Sequence, residues 1–296
     1  MIRIATRASA LARLQAERVG RMLGRDVELV LVSTTGDRDQ TSELHAIGGQ
    51  GVFTKEVQQA VLDGRADVAV HSAKDLPAST PPGLLLVAVP ERADPRDALV
   101  GRALDELVPG ARIGTGSVRR RAQLASARPD LSFGPLRGNI ETRLRKREEL
   151  GYDAIVVALA ALERLGLTDR VHEVLDPRVM LPQVAQGALA AECRLDDERT
   201  IARLRAVDDP VAHRAVDTER AFLAELGGGC DLPCGALAQA DGRDGVIVLE
   251  AVLASLDGHV VLRTRVAGDD PLDVGATGAL DLLDAKGGRA LLEDVA

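Results

Sequence analysis

Residues 112–158 read RIGTGSVRRRAQLASARPDLSFGPLRGNIETRLRKREELGYDAIVVA. Arg112–Gly114 predicts a strand, Val118–Ala127 a helix, Leu131–Leu136 a strand, Ile140–Leu150 a helix and Tyr152–Ala158 a strand. Apolar strands that alternate with helices predict a parallel sheet covered on both faces. The same alternation runs through the N-terminal part of the chain. Ile2–Ala5 is a short apolar run, and Ser9–Leu23 places Leu11, Gln15, Val19 and Met22 on one side at helical spacing. Val27–Val32 is a continuous apolar strand, and Phe53–Leu62 a helix with Val57, Ala60 and Val61 inward. Asp67–Val70 is another strand, running directly into the polar segment His71-Ser72-Ala73-Lys74-Asp75.

A charged, turn-rich connector, Glu91-Arg92-Ala93-Asp94-Pro95-Arg96-Asp97, separates these two α/β units. Beyond Leu181 an apolar stretch, LPQVAQGALAAECR, is expected to return to the first unit. Two crossings of that kind make a hinged cleft. The last 90 or so residues follow a different pattern. A helix over Val211–Leu226 ends at three glycines, strands follow with an Asp257-Gly258 hairpin turn, and Pro271–Ala285 closes as an amphipathic helix. This order predicts a separate α+β domain.

The chain has 296 residues, 46% of them hydrophobic, so it can build sizeable cores. Aromatics are 1%, which leaves Leu, Val, Ile and Ala to fill them. The formal charge of −8 disfavours general nucleic-acid binding. MIRIATR does not read as a secretory signal, and no apolar run approaches the roughly 18 residues of a membrane span. Three cysteines do not make a disulfide framework, so a reducing, cytoplasmic setting is expected.

Three constellations could carry chemistry. Between Ser117 and Arg147 positive residues outnumber negative ones by seven, against the charge of the whole chain. Arg145, Lys146 and Arg147 read as a solvated helix face. Arg119 and Arg120 follow the turn Gly114-Thr115-Gly116-Ser117, and Arg137 lies in the next strand-to-helix loop. Helix N-termini at the carboxyl ends of strands bind anions, and arginine forks fit carboxylates. The residues leave carboxylate and phosphate open. Lys74 and Asp75 end a strand, where a surface ion pair or helix cap is the commoner use. Cys230, in Gly-Gly-Gly-Cys-Asp-Leu-Pro-Cys-Gly, reads as an accessible loop thiol; the spacing to Cys234 is unusual for zinc, and a disulfide is out of place in a reducing compartment. Cys193 reads as structural.

These segments together resemble the porphobilinogen deaminase family. Residues 3–9 (RIATRAS), 69–75 (AVHSAKD), 91–98 (ERADPRDA), 114–120 (GTGSVRR), 136–139 (LRGN), 186–194 (QGALAAECR) and 228–230 (GGC) fall in the order expected of it and cover nearly the whole chain. The resemblance implies two α/β domains like type II periplasmic binding proteins (1–88 with 186–205, and 93–182) and a smaller α+β domain over 209–296 carrying the attachment loop. It implies a dipyrromethane cofactor held by a thioether to Cys230, and Asp75 as the catalytic aspartate. Arg7, Ser9, Lys74, Ser117, Arg119, Arg120 and Arg143 match cofactor-binding positions. Arg7, Arg137, Arg143 and Arg164 match positions that bind substrate. The implied activity is a transferase of tetrapyrrole biosynthesis: four porphobilinogen molecules are deaminated and joined head to tail, and hydroxymethylbilane is released by water. The implied chain is a cytoplasmic monomer without metal, membrane or nucleic acid, whose product passes to uroporphyrinogen-III synthase. Gln50 stands where members often have lysine, Gly116 where serine is common, and Cys234 where an aliphatic residue is usual. Two other classes compete with this reading. A non-enzymatic anion receptor or sensor of the same lobe architecture would need neither the third domain nor the Gly-Gly-Cys loop, and a nucleic-acid binder would want stacking aromatics that are nearly missing.

Overall fold

The computed structural model describes residues 1–24, 26–38, 51–228 and 232–293. In the first part, β1 (Ile2–Arg7), α1 (Ala10–Met22), β2 (Val27–Val32), α2 (Thr35–Arg38), α3 (Lys55–Leu62), β3 (Val68–Ser72) and β4 (Leu84–Ala88) follow one another. Next come β5 (Asp97–Val100), β6 (Arg112–Gly114), α4 (Val118–Ala127), β7 (Ser132–Gly134), α5 (Ile140–Glu149), β8 (Ala154–Ala158), α6 (Leu159–Leu165) and β9 (Glu173–Val174). The chain continues with β10 (Leu189–Arg194), α7 (Glu198–Arg205) and α8 (Pro210–Glu225). It closes with β11 (Cys234–Ala240), β12 (Ile247–Ala254), β13 (Val261–Gly268), α9 (Pro271–Leu280) and α10 (Arg289–Glu293).

Three sheets result. The first has the order β2-β1-β3-β10-β4, the second β7-β6-β8-β5-β9, and the third is a β11-β12-β13 meander. Two α/β units and a smaller C-terminal α+β unit were expected, and the structure has them. The sheets expected to be parallel are mixed. β10 runs antiparallel between β3 and β4, and β5 runs antiparallel between β8 and β9. These two strands are the ones laid down where the chain crosses between units, so each arrives from the opposite end of its sheet. The helix over 10–22 also differs in detail: it buries Gln15, Ala16, Val19 and Gly20, whereas Met22 is exposed.

The cores match the composition. Val, Leu, Ile and Ala fill the space between sheets and helices, with Phe222 the one fully buried phenylalanine among the described residues, in the C-terminal core.

The crossings themselves are tightly made. Ala93 N–H donates to Gly187 O at 3.2 Å, so the two connectors touch. Gly187 has φ +87°, and a Cβ there would stand 2.4 Å from Ala93 O. Gly187→Ala is therefore expected to destabilise the fold by about 1–3 kcal/mol from left-handed backbone strain alone, before the clash is counted. Urea denaturation at neutral pH measures it, and an unchanged midpoint would show that the crossing has slack.

Candidate active site

Three strand-to-helix junctions face one cleft. Ser9 caps α1, its Oγ accepting from Ala12 N–H at 3.4 Å. Ser117 caps α4 by accepting from Arg120 N–H at 3.4 Å, and Asn139 caps α5 by accepting from Thr142 N–H at 2.9 Å. These caps follow the carboxyl ends of β1, β6 and β7, which run parallel to a neighbour in their sheets. The first turns of α1 and α4 carry no acidic residue. Such ends present free N–H groups and partial positive charge to an anion. Two of the loops nearly touch: a Cβ at Gly116 would lie 2.8 Å from Leu136 O. The glycine at this position thus permits a close approach that a side chain would disturb.

The cleft holds two adjoining cavities of about 470 and 270 Å³. Both are lined by Phe53, Lys74, Asp75, Arg120, Arg137 and Arg143. The larger also takes in Arg7, Ser9 and Asn139; the smaller takes in Ser117, Arg119, Leu232 and Cys234. Asp75 lies in a 3-10 turn after β3, with Arg7 Nη1 3.9 Å from its Oδ2. The Arg7 guanidinium is also stacked 4.3 Å from the Phe53 ring centre, which holds a cation in place by its ring face. Burial, with Arg120 and Arg143 adding to it, pushes the Lys74 ammonium down to about 8. Burial and Arg120 likewise push Arg143 down to about 10, while its Nε donates to Gly138 O at 2.7 Å. Buried cations that crowd one another raise the cost of the unliganded state, and an anionic ligand relieves it.

Arg119 and Arg120 are engaged more deeply than their sequence position indicates. Both flank Asp97, which is fully buried at the start of β5. Arg120 Nη2 donates to Asp97 Oδ1 at 2.7 Å, and its Nη1 to Val156 O at 3.0 Å. Arg119 Nη2 stands 2.8 Å from Asp97 Oδ2, and its Nη1 donates to Leu181 O at 2.6 Å. Arg119 Nε and Arg137 Nη1 are buried with no hydrogen-bond partner among the described residues. Arg164 lines neither cavity; its Nη2 donates to Gly187 O at 2.6 Å, at the second crossing. Cys230 and Gln50 lie outside the described residues. Cys193 is fully buried in β10, and burial pushes its thiol up to about 11, as an inert structural cysteine requires.

Sequence reading missed Asp97, Gln186 and Phe53 as members of this constellation. Asp97 and Gln186 stood inside segments already picked out, 91–98 and 186–194, but nothing in their spacing says that they meet. It also missed a buried His71–Glu192 pair, Nε2 to Oε2 3.3 Å, with His71 against the larger cavity. Among the described residues there is no cluster of metal-ligating side chains, and no helix is long and apolar enough to cross a membrane.

The fold and the site define a two-lobed α/β protein with an appended α+β unit, whose cleft gathers Arg7, Lys74, Arg120, Arg137 and Arg143 around Asp75. The chain belongs to the porphobilinogen deaminase family. The profile described as "Porphobilinogen deaminase, dipyromethane cofactor binding domain" matches residues 2–202, and "Porphobilinogen deaminase, C-terminal domain" matches 213–284. The porphobilinogen deaminase of Roseiflexus castenholzii is 46% identical over 298 residues, covering 98% of this chain and 97% of the relative. That of Brevibacillus brevis is 45% identical over 271 residues, covering 90% and 87%. Among solved structures, the amino acid substrate-binding protein AbpA of Streptococcus pneumoniae is 12% identical with a TM-score of 0.35, over 74% of this chain and 94% of that one. The fold assignment stands on strand order and not on that likeness.

The family's cofactor is dipyrromethane, and the smaller cavity fits it. Its wall carries two buried guanidinium nitrogens without partners among the described residues, on Arg119 and Arg137, for carboxylates to meet. Leu223, Leu232 and Cys234, on either side of the segment containing Cys230, give it an apolar flank.

Proposed function

We propose that this chain deaminates porphobilinogen and joins four molecules of it head to tail on dipyrromethane, releasing hydroxymethylbilane by hydrolysis. The observation that carries the reading is Asp75, a carboxylate set among Arg7, Lys74, Arg120 and Arg143 where the two cavities meet. When porphobilinogen loses ammonia its methylene carbon becomes cationic. The Asp75 carboxylate stabilises that charge and helps move protons, as a donor toward the departing amine and as an acceptor from the pyrrole carbon that couples. Bound dipyrromethane supplies the pyrrole carbon to which the first substrate is joined, and it stays with the protein when the product leaves.

Arg7, Ser9, Lys74, Ser117, Arg119, Arg120 and Arg143 hold the cofactor's carboxylates, and Arg7, Arg137, Arg143 and Arg164 those of the substrate and growing chain. Each added ring brings two more carboxylates, which is why an acidic protein gathers arginines in one cleft. Domain 1 spans 1–88 with 186–205, domain 2 spans 93–182, and domain 3 spans 209–296. The chain works as a cytoplasmic monomer, and its product passes to uroporphyrinogen-III synthase. Incubation with porphobilinogen should release ammonia and hydroxymethylbilane in a ratio of four to one. No release from a dipyrromethane-loaded preparation would overturn the reading.

Cys230 carries the cofactor through a thioether in this proposal. Intact mass should exceed that of the bare chain by one dipyrromethane, and peptide mapping should put the increment on the peptide containing Cys230. Modification of Cys234 or Cys193 instead, or of no cysteine, would sink the assignment.

A further inference from the structure

Gln186 sits at the second crossing between the α/β units, and no part of it is exposed. Its Oε1 accepts from Lys74 Nζ at 3.3 Å. Its Nε2 donates to Asp97 Oδ1 at 2.9 Å and to Pro95 O at 2.7 Å. Asp97 in turn holds Arg119 and Arg120. The amide thus accepts from a cation that follows β3 in the first sheet and donates to a carboxylate at the start of β5 in the second. A primary amide offers both roles in one planar group, with two donor hydrogens and an acceptor oxygen.

Its backbone is clamped as well. Arg92 Nε donates to Gln186 O at 2.9 Å, and the preceding Ala185, with φ +58°, gives its N–H to Glu219 Oε2 at 2.6 Å. Ala185 is the only non-glycine residue with positive φ among the described residues. Left-handed backbone at an alanine persists only where its surroundings enforce it. The segment is therefore held in one conformation from both sides, and Arg92 brings the first crossing into the same node.

We propose that Gln186 is a positioning residue which fixes Lys74 of the first unit against Asp97 of the second, and so sets the cations of both lobes relative to one another. The inference rests on the reading that those cations hold the carboxylates of cofactor and substrate. Burial acts most strongly on Lys74 and disfavours its ammonium; Arg120 and Arg143 add to that, while Asp75 and Asp97 favour the ammonium. Where burial already disfavours the ammonium, one hydrogen-bond acceptor matters. Losing Oε1 disfavours the ammonium, so Lys74 should give up its proton at lower pH. A carboxylate in its place should do the reverse.

The test uses holoenzyme with loading verified by intact mass, in the parent, Gln186→Met and Gln186→Glu proteins. Lys74 is followed by 13C-methyl NMR after reductive methylation, its signal assigned by its loss in Lys74→Arg, and kcat/KM is measured against pH beside it. Gln186→Met should lower the Lys74 midpoint by about one pH unit, the worth of one hydrogen bond to a charged group, and Gln186→Glu should raise it. A merely structural role predicts weaker activity with both midpoints where the parent has its own. Unchanged midpoints, or a shift of both variants in one direction, would overturn the proposal. If Gln186→Met does not melt cooperatively, the upward shift in Gln186→Glu decides alone. A parent that titrates as described but turns over no porphobilinogen would overturn the functional reading and leave the positioning role standing.

Discussion

Asp75→Asn should lower turnover on the order of 100- to 1,000-fold, the usual cost of removing a preorganised charge from a developing opposite one. The substitution keeps size and shape, so the cleft around Lys74 and Phe53 has little to repack. It removes the negative charge in the region that both cavities share. Arg7, 3.9 Å from Asp75, would then lack that partner while keeping its stack on Phe53. A cap or surface ion pair at this position predicts a different pattern, about 1 kcal/mol of stability with turnover nearly untouched. Melting temperature and kcat on the same preparation therefore separate the two roles. The variant is supplied with preformed cofactor, so that primer assembly does not enter the comparison. If the loaded protein turns over porphobilinogen at the parent rate, Asp75 is not the catalytic carboxylate.

The sequence made the strand-end residues legible and left their partners hidden. Lys74 and Asp75 could be placed because an apolar strand runs straight into them, and strand polarity puts such ends at the ligand side of an α/β sheet. The turn ending at Ser117 and the loop holding Arg137 were readable in the same way, from small or polar residues between a strand and a helix. What could not be read was which side chain answers which. Arg119 and Arg120 look from the sequence like open anion donors, yet Asp97 stands between them inside the fold. Asp97 belongs to a four-residue strand embedded in a charged connector, too short for any periodicity to show. Direction is likewise invisible in a pattern of apolar residues, so the antiparallel runs of β5 and β10 appear only when the crossings are traced through space. Cys230 was singled out by its neighbouring glycines and by family resemblance, two signals that are local to the motif and do not depend on packing.

Asp97→Asn should destabilise the protein by about 3–5 kcal/mol, the cost of leaving buried charge without its counter-charge. Asparagine keeps an acceptor for the Gln186 and Arg120 hydrogen bonds, so the change isolates charge from shape. Two guanidinium groups, each almost fully buried, would then share a pocket with no anion between them. The pH dependence has a definite sign. Burial alone would push the Asp97 carboxyl up, but the charges of Arg119 and Arg120, with hydrogen bonds from Gln186 and Arg120, outweigh it and hold the group well below the usual carboxylate range. A carboxyl whose folded value is depressed contributes its full stability above the unfolded value of about 4, and loses it as pH falls toward the folded one. The gap between parent and Asp97→Asn should thus be constant from about pH 5 to 8 and narrow below about pH 4. Urea denaturation at neutral pH and again under acid gives both quantities. A loss under about 1 kcal/mol at neutral pH, the range of an exposed ion pair, would show that Arg119 and Arg120 do not depend on Asp97. The cleft would then have to hold its arginines by the carbonyls of Leu181 and Val156 alone.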